Sequence, residues 1–375
     1  MTMAGAARRS RAAALTAVLL VSAAPVFAIG PTQSAWAQSA APATPAVKPA
    51  GRPATAPAAK AGPAGGVKDA AAAAGPRSLP SPISKAVVDP AYGAFQRGYF
   101  LTAFRLAEQR VEQDKDPKSM TLLAELYANG LGVPKDDAKA ADWYKLAAAR
   151  GDANAMFALA LFDLTGRGGP RDRQASATWL AAAAKLGHPQ AAYDLALLYI
   201  EGQLFPQDFV RAAQLLRVAA DTGNADAQYA LGTFYKEGRG VPKDMHEAVK
   251  LWAQAALADN TDAQVEYAIA LYNGEGIEKN QAAAALIFHR AALHNSAIAQ
   301  DRLALILSRG QGAPVSPINA TKWHLISQAN GETDLELDGY VARLDPATRA
   351  AGEKAAKIWL DAQKITAPTP QQQTR

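Results

Sequence analysis

A period of 36 residues runs through most of this chain. Segments beginning at Asp116, Asp152, His188, Asn224, Asn260 and Ser296 align without a gap through Gly331. At such a period each unit is one supersecondary element, and it buries its apolar face only by stacking on its neighbours. The clearest copy, 224–259, reads as a helix, a glycine-punctuated loop and a second helix. A chain of 375 residues could hold two or three ordinary domains. The repeat assigns it instead to the all-α class, as an α-α superhelical solenoid of six 36-residue hairpins.

Each unit is punctuated in the same way, and each mark has a physical cause. The first position is Asp116, Asp152, His188, Asn224, Asn260 or Ser296, all but the histidine good N-caps for a first helix. The fifteenth is glycine in all six (Gly130, Gly166, Gly202, Gly238, Gly274, Gly310), as expected of the left-handed residue that ends that helix. A second glycine follows two positions later, except at Leu204, and then a proline, except at Glu278. Position twenty-one (Asp136, Asp172, Asp208, Asp244, Asn280, Ser316) supplies a side-chain oxygen to cap the second helix. Asp244 with Glu247 has the spacing of a capping box. These aspartates therefore read as caps, not as catalytic acids.

The interior is as regular as the punctuation. Leu123, Leu159, Leu195, Leu231, Tyr267 and Leu303 share position eight, followed by alanine or, at Gly232, glycine. In the second helix an alanine column (Ala140, Ala212, Ala248, Ala284, Ala320, with Ser176) precedes Trp143, Trp179 and Trp323. Large beside small residues at helical spacing make interlocking faces.

The run Ala-x-x-x-Leu-Gly-x-x-Tyr-x-x-Gly-x-Gly-Val-Pro-x-Asp, from Ala227 to Asp244, is similar to the Sel1-like repeat, a relative of the tetratricopeptide repeat. The resemblance covers 116–331 and, more loosely, 89–115, where Asp89-Pro90 opens an atypical terminal half-repeat. After Gly331, two further helices (333–344 and 346–364) are expected to cap the array, with Leu335, Tyr340, Val341, Leu344, Ile358 and Trp359 covering its end. From 365 the tail is Pro-, Thr- and Gln-rich, and disorder is expected there.

The N-terminal 37 residues have the form of a secretory signal. Arg8, Arg9 and Arg11 precede the apolar run from Ala12 to Ile29, and Ala35-Trp36-Ala37 offers a small-x-small cleavage pattern. An earlier cut after Ala28, or an uncleaved inner-membrane anchor, are the alternatives. Residues 38–88 are Ala, Pro, Gly and Lys with few large apolar side chains, the composition of a disordered linker. A periplasmic or secreted location follows as an expectation, with no stable membrane insertion after cleavage.

The net charge of +5 is unevenly placed. The first 37 residues carry +3, residues 38–88 carry +5, and 89–375 carry −3. A nucleic-acid reader concentrates positive charge on its folded surface, so nucleic acid is not expected as a partner. With no cysteine there is no thiolate metal site, disulfide or cysteine nucleophile. The chain has no Walker loop, Gly-x-Ser-x-Gly or His-Glu-x-x-His motif. His289 and His294 do not share a helical face, and His324 beside Trp323 reads as packing. No catalytic residue, metal site or cofactor is expected, and the chain is read as a non-enzyme.

One pattern exceeds what the interior needs. Positions six, ten and thirteen of several first helices are apolar on a face distinct from eight, nine and twelve. They are Phe157, Leu161 and Leu164, then Tyr193, Leu197 and Ile200, then Tyr229, then Ile269 and Tyr272. Thr233 and Lys236 extend the face, with Glu201 and Glu237 at its edge. The resemblance to the tetratricopeptide superhelix implies that this face lines a concave groove that holds a peptide or helix. It further implies an adaptor or regulator in the bacterial envelope, whose partner is a sensor or an assembly factor. The alternatives are a cell-wall-acting or β-lactam-binding or -hydrolysing enzyme, whose relatives are cysteine-rich, and a structural envelope scaffold.

Overall fold

A computed structural model describes residues 89–366, with side chains through Gln363. The expected signal, the linker and all but the first two residues of the expected tail lie outside the described residues. Sixteen α-helices and no strand occur among those described. Helices α1 (Pro90–Gln96) and α2 (Phe100–Asp114) precede six hairpins. The hairpins are α3 (Pro117–Asn129) with α4 (Asp137–Ala148), α5 (Ala153–Thr165) with α6 (Arg173–Lys185), and α7 (Pro189–Glu201) with α8 (Phe209–Asp221). Then come α9 (Ala225–Glu237) with α10 (Met245–Leu257), α11 (Thr261–Asn273) with α12 (Gln281–Leu293), and α13 (Ala297–Arg309) with α14 (Pro317–Ala329). Helices α15 (Leu335–Ala342) and α16 (Pro346–Thr366) close the order. Each helix packs on the next in sequence through α14, which then receives α16. This is the expected all-α solenoid.

The caps form as expected, with three differences. The carboxylate of Asp208 accepts from the Arg211 N–H at 2.9 Å, and its counterparts in the first, second, fourth and fifth repeats cap in the same way. Because Asp208 is exposed and its bond is local, Asp208→Ala should cost about 1 kcal/mol in urea unfolding, with little change in slope. Ser316 accepts no backbone bond and takes the Asn319 side-chain N–H instead, at 3.0 Å. His188, expected to be the exception among first-helix caps, caps after all: Nδ1 accepts from the Ala191 N–H at 3.1 Å. Asp244 and Glu247 do not close a box, because the Glu247 carboxylate turns to Arg217 and Lys250 and the Asp244 N–H bonds the Tyr235 carbonyl.

That last bond is the loop's clasp. In all six repeats the N–H of position twenty-one donates to the carbonyl of position twelve, from Asp136 to Tyr127 through Ser316 to Leu307. The fifteenth-position glycine is left-handed throughout, at φ 72° in Gly238. The second glycine has a different task. A Cβ at Gly168 would stand 2.6 Å from the Asp137 carbonyl oxygen, and one at Gly276 2.6 Å from that of Met245. Each loop thus lies directly on the start of the preceding repeat's second helix. In the third repeat Leu204 replaces this glycine without a positive φ, and an Arg173–Glu201 ion pair at 3.5 Å bridges the two repeats.

The core is a strip of alanine and leucine between the helix layers. The alanine column of the second helices is fully buried, and so are Leu123, Leu216 and Leu231. Three glutamines add a ladder absent from the sequence reading. Gln228, Gln264 and Gln300 each donate Nε2–H to an alanine carbonyl eight residues earlier, at 3.1–3.2 Å. They tie a first helix to the end of the preceding second helix.

The C-terminal pair covers the last repeat with Trp359 as expected, but not with Leu335 or Ile358. Leu337, 1% exposed, is the buried residue of α15, whereas Leu335 is 87% and Ile358 62% exposed. On α16 the inward side is Gly352, Ala356 and Trp359. A Cβ at Gly352 would stand 2.5 Å from that of Thr321, so the small strip lets α16 lie close against α14. Trp359 then meets Trp323 edge-on, with ring centroids 5.3 Å apart.

A candidate partner-binding face on the first helices

Positions six, ten and thirteen fall on one side of each first helix, because 3.6 residues per turn brings i, i+4 and i+7 into register. The side is not uniform along the array. In α5, Phe157 stacks on the His188 ring of the next repeat at 4.6 Å, and Leu161 is 40% exposed. Tyr193, Leu197 and Ile200 on α7 are all half-buried, as is Leu164 on α5. On α9, Tyr229 and Thr233 are half-buried, and the Thr233 hydroxyl donates to the Tyr229 carbonyl at 3.1 Å. Burial and the nearby Asp226 and Asp194 carboxylates push the Tyr193 hydroxyl up to about 12, so it stays a neutral donor at any physiological pH.

At the end of α9 and on α11, two of the expected residues turn to neighbouring repeats. The Lys236 ammonium is held by Glu266 of the next repeat at 2.5 Å and lies 5.2 Å from the Trp252 ring centre. Tyr272 is only 8% exposed, and its hydroxyl bonds the Gln311 side chain. Of the nine residues expected to form the site, seven share an accessible stretch over α5, α7 and α9. Lys236 and Tyr272 instead join neighbouring repeats. Among Glu201 and Glu237 at the edge, Glu201 serves the Arg173 pair.

Acidic groups on this side were missed in the sequence. Glu125 stands at position ten of α3, Asp194 at seven of α7, Asp262 at three of α11 and Asp301 at six of α13. Burial, then the Asp152 charge, pushes Glu125 up to about 7. Burial pushes Asp194 up to about 6, only partly offset by the Gln190 amide at 2.9 Å. Asp301 is also raised to about 6 by burial, and one of its oxygens has no hydrogen-bond partner. Burial, then Asp226 and Glu266, raises Asp262. The signal was available: positions three and seven precede six and ten by three residues and so border the same side. Among the described residues no group of three or more His, Asp or Glu is placed to hold a metal ion, and no helix is long and apolar enough to cross a membrane.

A repeating helical hairpin with this loop defines the class, and comparison with known proteins gives the family. The Sel1 repeat profile matches residues 117–152, 153–188, 189–224, 225–260, 261–296 and 297–327. The chain belongs to the Sel1 repeat family, whose members generally mediate protein–protein interactions on a fold typical of non-enzymatic scaffolds. A solved Sel1 repeat protein from Oxalobacter formigenes is 26% identical with a TM-score of 0.56, over 64% of this chain and 98% of that one. The structure of c5321, a protective antigen present in uropathogenic Escherichia coli strains and displaying an SLR fold, is 23% identical with a TM-score of 0.48. That match spans 72% of this chain and 68% of that one. No functionally curated protein matches the chain.

Proposed function

We propose that this protein is a non-enzymatic adaptor of the bacterial envelope that holds a partner protein along the first-helix face of α5, α7 and α9. The observation that carries the reading is the half-exposed stripe from Phe157 and Leu161 through Tyr193 and Leu197 to Tyr229. The leucine and alanine columns supply the interior, and Phe157, Tyr193 and Tyr229 pack on it while leaving part of their surface open to a partner. Aromatic side chains of this kind anchor partners because they offer a large apolar area at little rotamer cost and keep a polar tip for hydrogen bonding. The signal-like 1–37 segment supports export, and the family fold supports a scaffold role over a catalytic one.

The test is photocrosslinking in cells from position 193 or 229, followed by identification of the captured protein. A single dominant partner is expected, and Tyr193→Ser with Tyr229→Ser should reduce its capture about tenfold, the equivalent of ~1.4 kcal/mol. Both side chains also pack on the core, so some loss of melting temperature is expected, and retained helicity by circular dichroism shows that the double variant is folded. Unchanged capture by a folded double variant would move the partner off this face.

A further inference from the structure

The charges of this solenoid are sorted by helix layer. The six first helices, α3 to α13, carry nine Asp and Glu against four Lys and Arg; the six second helices, α4 to α14, carry four against nine. Two of the four cations on the first layer are committed within it. Lys236 is held by Glu266 at 2.5 Å and Arg302 lies beside Asp301 at 3.6 Å. The carboxylates nearest the apolar stripe lack such compensation. Asp194 receives only the Gln190 amide, and Asp226 the Asn260 amide at 2.8 Å. Asp262 has carboxylates, not cations, as its charged neighbours. At the C-terminal end of the same register, Asp301 is 7% exposed and keeps one oxygen without a partner.

We propose that the partner segment taken by this face is a cationic one, a stretch of chain in which lysine or arginine alternates with apolar residues. Its apolar side chains would lie on Leu161, Tyr193, Leu197 and Tyr229, and its cations would reach Asp194, Asp226 and Asp262. The inference rests on the groove reading above and names the chemistry of its occupant. Asp194 is half-buried, where a carboxylate without a counter-charge is costly, and a cation brought by the partner relieves that cost in the complex alone; Asp226 and Asp262, both exposed, add attraction at the rim. The raised proton affinities of the half-buried Asp194 and Glu125 are what uncompensated burial produces. The same sorting gives direction to the encounter, since a cationic segment is drawn to one helix layer and repelled from the other.

The probe is a 14-residue peptide of alternating Lys and Leu pairs, with a second peptide in which Glu replaces every Lys. Both are fluorescently labelled and titrated with the full chain. The lysine peptide should bind saturably, at least tenfold more tightly than the glutamate peptide, and should weaken as salt rises from 50 to 300 mM. The triple variant Asp194→Asn, Asp226→Asn, Asp262→Asn should weaken it about tenfold. Asp142→Asn with Asp221→Asn, on second helices, should leave it unchanged. Equal binding of the two peptides, no saturable binding of the lysine peptide, or equal loss in both sets of variants would overturn the proposal. If both peptides bind equally and both are lost in Tyr193→Ser with Tyr229→Ser, the groove stands and only its charge preference falls. If the lysine peptide needs the three carboxylates but not the tyrosines, the site stays acidic and the aromatic groove reading falls.

Discussion

Trp252→Ala is expected to cost about 4 kcal/mol of unfolding free energy, the range for a fully buried tryptophan whose space cannot refill. The indole is wholly buried, its Nε1–H donates to the Tyr229 carbonyl at 3.3 Å, and the Lys236 ammonium lies over its ring. The site is built for it. Gly232 interrupts the alanine column of the first helices, and a Cβ there would stand 2.6 Å from Trp252 Nε1. At the same two positions the second repeat has Ala160 with Leu180, and the third Ala196 with Leu216, all buried. Gly232→Ala alone should therefore destabilise by about 1–3 kcal/mol, even though alanine is the better helix former. Trp252→Leu alone leaves a void. Together they recreate the pairing of the neighbouring repeats, and the double variant should be about 1–3 kcal/mol more stable than the two costs added. Denaturant unfolding of the four proteins decides this; strict additivity would sink it. Because Trp252 lies beneath Tyr229 and Lys236, partner capture from position 229 should fall in Trp252→Ala and return in the double variant.

Glu125→Gln should stabilise the protein at pH 8, by about 3 kcal/mol, with no gain at pH 4.5. Burial and the neighbouring Asp152 raise the Glu125 carboxyl from 4.5 to about 7. Between those values the folded state holds a proton that the unfolded chain has released, so stability falls as pH rises through the window. The full penalty is present above pH 7, and at ~1.4 kcal/mol per unit it gives the stated figure. Glutamine keeps the shape without the charge. Melting curves from pH 4.5 to 8 should show a flatter profile for the variant, and a variant less stable than the parent at pH 8 would refute the assignment. Asp194 and Asp301, raised to about 6 by burial, act in the same sense over a lower window.

Much of this molecule is legible in its sequence because its local rules are obeyed six times. Aspartate, asparagine and glycine at fixed positions start and stop helices through bonds a few residues long, so their roles survive without knowledge of tertiary contacts. The misreadings are where a local rule met a neighbour. His188 caps α7 because its ring is also stacked on Phe157, which fixes it over the helix end. Leu335 and Ile358, apolar and near the array's end, face outward, since what α14 accepts is a small-residue strip, Gly352 and Ala356. Periodicity alone placed the apolar stripe on one face. It did not show that Tyr272 would be covered, because that depends on Gln311 in the loop of the next repeat.

From the sequence alone came the repeat length, the helix boundaries, the alanine and leucine interior and the Sel1-type loop, since each rests on backbone geometry within one unit. Tertiary structure decided the rest: that the second glycine seats each loop on the preceding repeat, that Gly232 makes room for Trp252, and that seven of nine expected groove residues remain accessible. It also decided which carboxylates lack a counter-charge. These outcomes depend on distances between residues about one repeat apart. The stacking of one hairpin on another sets those distances, and no single repeat contains them.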